Sequence, residues 1–326
     1  MRFTFLGTSA GTPTAQRNVT ALALAIDDNR EWYLIDCGEG TQHRLLHSPH
    51  SSAKLKTIFI THVHGDHCYG LPGLIASANM SGRTEALTIC APDGIEQYVR
   101  NTFAHTDVHN LRFPLHFVRS DQDDFHYNDG AIDVSAVAMS HRVPCFAYHI
   151  KEIPPTHIDE AKLDALGVAR GPLWHQLQQG EDITLDNGET VYAKDVCTPA
   201  WPARKIVVGG DNDQPSLLHQ ALQDSDLLIH EATFTEDVLA KVGPQYMHST
   251  AAMVAKTAAD TALPHLILTH FSQRYRSHQS SKSKHKAQHT VKDLFMEARE
   301  HYRGNLMLAE DLQSYQLEKD KSLNKI

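Results

Sequence analysis

The chain has 326 residues, 41% hydrophobic and 21% charged, with a net charge of −9. That length suits one large domain or two ordinary ones, and the composition is that of a soluble globular protein. No apolar run reaches membrane-spanning length, no signal-peptide pattern opens the chain, and the acidic balance argues against a general nucleic-acid binder, whose affinity comes from neutralised phosphates.

Short apolar or β-branched runs ending in Gly or polar residues predict strands at 2–6, 21–26 and 32–35, then at 57–60, 87–91 and 132–139, and finally at 205–208 and 227–229. Helices are expected at 40–46, 70–78, 94–103, 215–221, 249–261 and 292–302. The mixture predicts an α/β sandwich around a single core. Residues 151–198 break the rhythm, being rich in Pro, Gly and polar residues. They read as an insertion, helical near 158–166, with a hairpin at Asn187-Gly188, and a dedicated role is expected for a segment of that length. Five scattered cysteines (Cys37, Cys68, Cys90, Cys145, Cys197) without a Cys-x-x-Cys pair predict reduced thiols in a cytosolic protein. Six basic residues and no acid lie from Arg274 to Lys292 (with Arg276, Lys282, Lys284 and Lys286 between them), giving a local positive patch or a solvated segment.

The most informative run is Thr61-His62-Val63-His64-Gly65-Asp66-His67, between a predicted strand and a helix. Imidazole and carboxylate suit zinc and similar first-row ions. At this histidine content, His-x-His-x-Asp-His arises by chance in roughly one chain in a hundred, so a metal site is preferred over a cluster of surface histidines. Three further candidates each follow a strand-like run: His141 after 134–140, Asp211 after 205–210 and His270 after 265–269. Singly, each reads as a cap or turn residue. Together with the first motif they supply enough ligands for two ions, which at about 3.5–4 Å apart activate water and clamp an oxyanion. Such a site suits phosphodiesters. The leaving alkoxide also needs a proton, and His248 is the expected donor, oriented by Glu231. Alone, Glu231 reads as a strand-end carboxylate, and Ser249 or Thr250 as a helix N-cap.

These residues carry a family likeness. Phe5-Leu6-Gly7-Thr8-Ser9-Ala10-Gly11, Arg17-Asn18, Asp36-Cys37-Gly38-Glu39-Gly40-Thr41-Gln42, the His62–His67 motif, His230-Glu231-Ala232-Thr233, His248-Ser249-Thr250 and Thr269-His270-Phe271-Ser272-Gln273-Arg274-Tyr275 resemble ribonuclease Z, the tRNA 3′-processing endonucleases of the metallo-β-lactamase superfamily. The resemblance spans nearly the whole chain and implies an αββα sandwich with an exosite arm at 151–198 that grips precursor tRNA. It implies one Zn²⁺ on His62, His64 and His141, a second on Asp66, His67 and His270, and Asp211 bridging; Mn²⁺ or Co²⁺ fits the same ligands. Asp66 would accept the proton of the attacking water. Cleavage would leave a 3′-hydroxyl on the tRNA and a 5′-phosphate on the trailer, and the protein would be a cytoplasmic homodimer without membrane contact, one subunit's arm serving the other's site.

Three departures accompany the likeness. Ala15 stands where relatives place a basic residue, in the loop that reads nucleotides beyond the cleavage point. The arm stretch from Gly171 to Gly180 has no lysine or arginine, so the 274–292 segment is the candidate to compensate. Asn212 follows Asp211 where Thr is common, a change expected to affect only the surroundings of the ligands. Other readings remain open: an exonuclease or small-diester phosphodiesterase on the same scaffold, a thioester or lactam hydrolase, and a non-catalytic RNA-binding subunit.

Overall fold

The computed structural model describes residues 1–27, 29–276 and 289–326. Strands β1 (Arg2–Gly7), β2 (Ala21–Ala25), β3 (Trp32–Ile35), β4 (Leu55–Phe59), β5 (Leu87–Ala91) and β6 (Leu115–Arg119) build one sheet. β7 (His126–Asn128), β8 (Ile132–Met139) and β9 (Cys145–Glu152) begin a second. The chain then leaves it for a small annex with β10 (Thr156–Ile158), β11 (Ile183–Thr184), β12 (Thr190–Val191) and β13 (Cys197–Pro199). β14 (Lys205–Val208), β15 (Leu227–Glu231), β16 (His265–Thr269) and β17 (Asn305–Leu308) complete the second sheet, while β18 (Ser314–Leu317) and β19 (Leu323–Lys325) return to the first. The orders are β19-β18-β1-β2-β3-β4-β5-β6 and β17-β16-β15-β14-β9-β8-β7.

The sheets face each other across a core that includes Phe3, Phe5, Tyr33 and Phe59 from one side and Val134, Tyr148, Ile150, Ile206 and Ile229 from the other. Alternation along each strand sends the remaining apolar residues outward. Helix Ile95–His105 buries Ile95, Val99 and Phe103, a spacing of four that keeps one face apolar, and with helix Leu71–Met80 it covers the first sheet. Helix Ala251–Asp260 packs a face rich in small residues (Ala251, Ala255, Ala258) against the second sheet, and Val291–His301 packs beside it. Four layers result, helix–sheet–sheet–helix, as expected. Thr250, not Ser249, caps helix Ala251–Asp260, its hydroxyl accepting from Met253 N at 3.1 Å. The helix expected at 215–221 is a 3₁₀ turn (Pro215–Leu218) running into one α-turn (His219–Leu222).

The annex interrupts what would be a β9–β14 hairpin. β9 runs to Glu152, so Lys151 and Glu152 belong to the sheet, and the departing segment is 153–203 rather than 151–198. Its helix Glu160–Ala165 and the β11–β12 hairpin match the helical and hairpin signals read at those places; helix Pro172–Gln178 and the β10–β13 pair were not foreseen. Ile158, Leu163, Val168, Leu177, Ile183, Val191 and Val196 give it an apolar cluster of its own.

At the neck of the annex, Arg204 is fully buried and grips the buried Glu152 through both carboxylate oxygens, Nε–Oε2 being 2.7 Å. Its Nη1 reaches Asp27 Oδ2 at 2.6 Å and the Leu317 carbonyl at 2.7 Å. Removing one member of a buried pair leaves the other charge uncompensated, so Arg204→Ala is expected to cost about 3–5 kcal/mol. Urea denaturation measures this; a loss under about 1 kcal/mol, the scale of an exposed pair, contradicts it.

Candidate metal centre

β4, β8, β14 and β16 end at one edge of the sandwich, where their following residues carry the candidate ligands, and β15 ends there on Glu231. This is the edge at which open α/β sheets present side chains. An isolated antiparallel bridge, His62 to Cys145, joins the two sheets there. Asp66 and His67 lie within a short helical turn, Gly65–Cys68, and helix Leu71–Met80 follows the motif, as expected. At Gly210 an added Cβ would stand 2.5 Å from Cys145 Sγ and 2.8 Å from Thr61 Cβ, so glycine lets the Asp211 loop close onto the His62 strand end.

All seven candidate ligands converge in two neighbouring groups, His62, His64, His141 with Asp211, and Asp66, His67 with His270. In the first, His64 Nδ1 stands 3.1 Å from His62 Nε2 and 3.2 Å from His141 Nε2. Asp211 Oδ2 lies 3.6 Å from His62 Nε2 and 3.8 Å from His141 Nε2. In the second, His67 Nε2 is 3.3 Å from His270 Nε2, and Asp66 Oδ2 is 3.5 and 3.4 Å from those two nitrogens. Asp211 Oδ1 faces this group, 3.5 Å from His67 and 3.3 Å from His270. Tetrahedral donors about 2.0–2.1 Å from an ion stand about 3.3 Å apart, so these spacings are those of two ligand cages sharing one carboxylate.

Tautomers inferred from the hydrogen-bond partners support that reading. His62 Nδ1 pairs with the Thr61 hydroxyl at 3.0 Å, His67 Nδ1 with Asp36 Oδ2 at 2.7 Å, His141 Nδ1 with the Met247 carbonyl at 3.0 Å and His270 Nδ1 with the Thr233 hydroxyl at 2.9 Å. Each Nδ1–H is thus spent outward, and each Nε2 lone pair points inward. Asp211 Oδ1 is buried without a hydrogen-bond partner. A buried orphan carboxylate oxygen facing imidazole lone pairs is costly unless a cation stands between them, so the donor set fits metal ions. Electrostatics agree. Burial pulls His67 down, but Asp211, Asp36 and Asp66 outweigh it and hold its imidazole well above the ordinary value. Burial raises Asp211, yet His270, His67 and His248 hold it well below the carboxylate range.

His248 and Glu231 also meet as expected, Nδ1 to Oε1 at 3.1 Å. Glu231 Oε1 further accepts from Asn212 N and Ser249 N, and its Oε2 accepts from the amide and hydroxyl of Thr233. The carboxylate therefore joins the Asp211 and His248 loops and, through the Thr233 hydroxyl, reaches His270. Burial lowers His248, but Glu231 and Asp211 raise it to about 9.

The chain aligns along its whole length with the ribonuclease Z of Marinobacter nauticus, 48% identical over 327 residues, covering 100% of this chain and 99% of that protein. The chain belongs to the ribonuclease Z family. The crystal structure of the short form of human tRNase Z superposes with a TM-score of 0.64 at 25% identity, covering 97% of this chain and 99% of that one. The metallo-β-lactamase fold protein YhfI from Bacillus subtilis shares the fold, with a TM-score of 0.62 at 18% identity over 96% of this chain and 98% of that one. A family model described as Anti-Pycsar protein Apyc1 matches residues 1–163. That half carries five of the candidate ligands but stops before Asp211, Glu231, His248 and His270, whereas the ribonuclease Z match takes in all of them.

Sequence reading missed the residues that hold the ligands. Asp36 was visible only as part of the run from Asp36 to Gln42. Its carboxylate accepts from His67 and from the amide and hydroxyl of Thr61, so it orients one histidine in each cage. Asp36, Met247 and His270 have φ of 59°, 53° and 57°, left-handed conformations costing about 1–3 kcal/mol each that cluster at functional sites. Arg17, part of the family likeness, is buried and clamps the carbonyls of Ser272 at 3.2 Å and Tyr275 at 2.7 Å. The neighbouring Gly11 amide donates to Asp66 Oδ2 at 2.8 Å, so the loop containing Ala15 abuts the second cage. In the 274–292 segment, Lys282, Lys284 and Lys286 lie outside the described residues.

Proposed function

We propose that this chain removes the 3′ trailer from tRNA precursors by metal-assisted phosphodiester hydrolysis, leaving a 3′-hydroxyl on the tRNA. The observation that carries the reading is Asp211, whose two carboxylate oxygens each face one cage while His248 stands 3.7 Å from one of them. His62, His64, His141 and Asp211 would hold one ion; Asp66, His67, His270 and Asp211 the other. Zn²⁺ is the ion this His/Asp set favours. Divalent cations held there lower the pKa of water and stabilise a phosphate oxyanion.

The side chains divide the remaining work. Asp66, the least buried carboxylate of the cages at 12% exposure, accepts the proton of the attacking water. Glu231 holds His248 through Nδ1 and keeps its imidazole charged. His248 Nε2 then gives its proton to the departing 3′-oxygen. The small-diester reading shares this chemistry but has no use for the annex at 153–203. The cytosol, where thiols stay reduced, is the compartment assigned, and all five cysteines are free. A homodimer with arms exchanged is part of the reading, tested by sedimentation of the full chain.

Mapping the 3′ ends produced from one pre-tRNA, beside turnover of bis-(p-nitrophenyl) phosphate, tests the assignment. Trailer release at a single position with a 3′-hydroxyl is expected; turnover of the small diester with pre-tRNA untouched would remove the tRNA assignment. Because Glu152 and Arg204 face each other across β9 and β14, with Glu152 N donating to Arg204 O at 2.9 Å, a two-residue turn can replace 153–203. That variant should raise KM for pre-tRNA about tenfold or more, about 1.4 kcal/mol of binding, and spare the small diester. Equal damage to both substrates would make the annex structural.

A further inference from the structure

Asn212 is fully buried, and each of its polar groups has a partner. Its Oδ1 accepts from Ser140 N at 3.3 Å and Gln214 N at 2.9 Å. Its Nδ2 donates to His230 Nε2 at 3.3 Å. His230 donates its Nδ1–H to the Glu231 carbonyl at 2.8 Å, which leaves Nε2 an acceptor and sets the orientation of the Asn212 amide. The backbone N–H of Asn212 donates to Glu231 Oε1 at 3.2 Å, and its carbonyl accepts the Ser249 hydroxyl.

The geometry has a particular purpose because of strand order. His141 follows β8 and Asp211 follows β14, but β9 lies between those strands. No ladder hydrogen bond therefore sets the spacing of these two ligands. Ser140 immediately precedes His141, and Asn212 immediately follows Asp211, so the Asn212 Oδ1···Ser140 N bond spans the gap, seconded by Asp213 N to Ser140 O at 3.1 Å. The His141–Asp211 separation it governs is 3.8 Å, wider than the His62–Asp211 separation of 3.6 Å. His62, the partner strand end in that cage, is instead held by the bridge to Cys145. A threonine hydroxyl carries its donor and acceptor sites on one atom, whereas the amide accepts on Oδ1 and donates to His230 from a separate Nδ2.

We propose that Asn212 is a positioning residue for the first cage, tying the His141 and Asp211 loops together across β9 so that it controls the affinity of the His62/His64/His141/Asp211 ion more strongly than that of the second ion, which shares Asp211 but not His141. The inference rests on the two-ion reading above. Loss of a group that orients ligands typically weakens metal binding about 10–100-fold.

The test is a zinc titration of the full chain against a chelating indicator, comparing the wild type with Asn212→Ala. Two ions should bind the wild type, and the variant should hold one at close to wild-type affinity and the other about 10–100-fold more weakly. If the wild type binds fewer than two, the two-ion reading fails. If the wild type binds two and the variant matches it at both sites, or weakens both equally, only the positioning role fails. A lower melting temperature of the metal-free variant with unchanged zinc binding marks a purely structural residue and overturns the proposal as well. Should Asn212→Ala not fold, Asn212→Thr keeps one oxygen at the position and should show the same selective weakening to a smaller degree; wild-type zinc binding in it overturns the proposal.

Discussion

Replacing His248 with alanine is expected to lower kcat on pre-tRNA by about 10²–10⁴-fold, the usual contribution of a general acid, with two ions still bound. The imidazole sits 12% exposed beside the cages, its Nδ1 bonded to Glu231. With Asp211 and His270 it also forms a third group of donor atoms close enough to hold an ion, but it is not among the seven expected ligands, and its loss leaves those seven in place. The pH profile gives a second readout. Glu231 and Asp211 overcome burial to hold the His248 imidazole at about 9. A general acid must be protonated, so kcat falls as pH rises through that value. Cations in the cages repel the imidazolium and move the limb to or below about pH 9. Glu231→Gln removes the larger favourable charge and should shift the limb further down. Loss of metal from His248→Ala, or a limb that stays in place in Glu231→Gln, would show that His248 is a ligand or a spectator and not the donor.

Asp211→Ala should reduce the metal content below two ions per chain and abolish turnover with it. Removing the shared carboxylate takes a ligand from both cages at once. The side chain is buried, its Oδ1 has no hydrogen bond, and Oδ2 approaches histidine nitrogens only at 3.6 Å and beyond. The expected defect is in metal binding. Elemental analysis of the purified variant decides the matter: full occupancy contradicts a bridging role.

The legibility of these residues in the sequence follows from how they are spaced. His62, His64, Asp66 and His67 lie within six positions, so local geometry alone brings them together. His141, Asp211 and His270 could be picked out because each ends an apolar run, and strand ends in an α/β sandwich collect at one edge. β9 was harder to see, since Cys145–Glu152 mixes tyrosine, histidine and lysine with its apolar residues. β6 was lost for a similar reason: Leu115–Arg119 lies at the edge of its sheet with most of its side chains in contact with water. Asp36, Thr61, Thr233 and the Met247 carbonyl escaped because a group that orients a ligand needs only one well-placed oxygen, which any of several backbone paths can deliver. No spacing rule marks it.

By itself the sequence marked out the candidate chemistry: which side chains could serve as ligands, that they are numerous enough for two cages, and that a histidine–carboxylate pair accompanies them. These depend on residue type and on short-range order along the chain. Only the tertiary structure decided which oxygen of Asp211 faces which cage, that Asp36 serves a histidine in each, and that Asn212 spans from β14 to β8 across β9. Those relations join residues far apart in the chain, Asp211 to His62 by close approach and Asn212 to Ser140 by a hydrogen bond, in a geometry that exists only once two sheets have packed face to face.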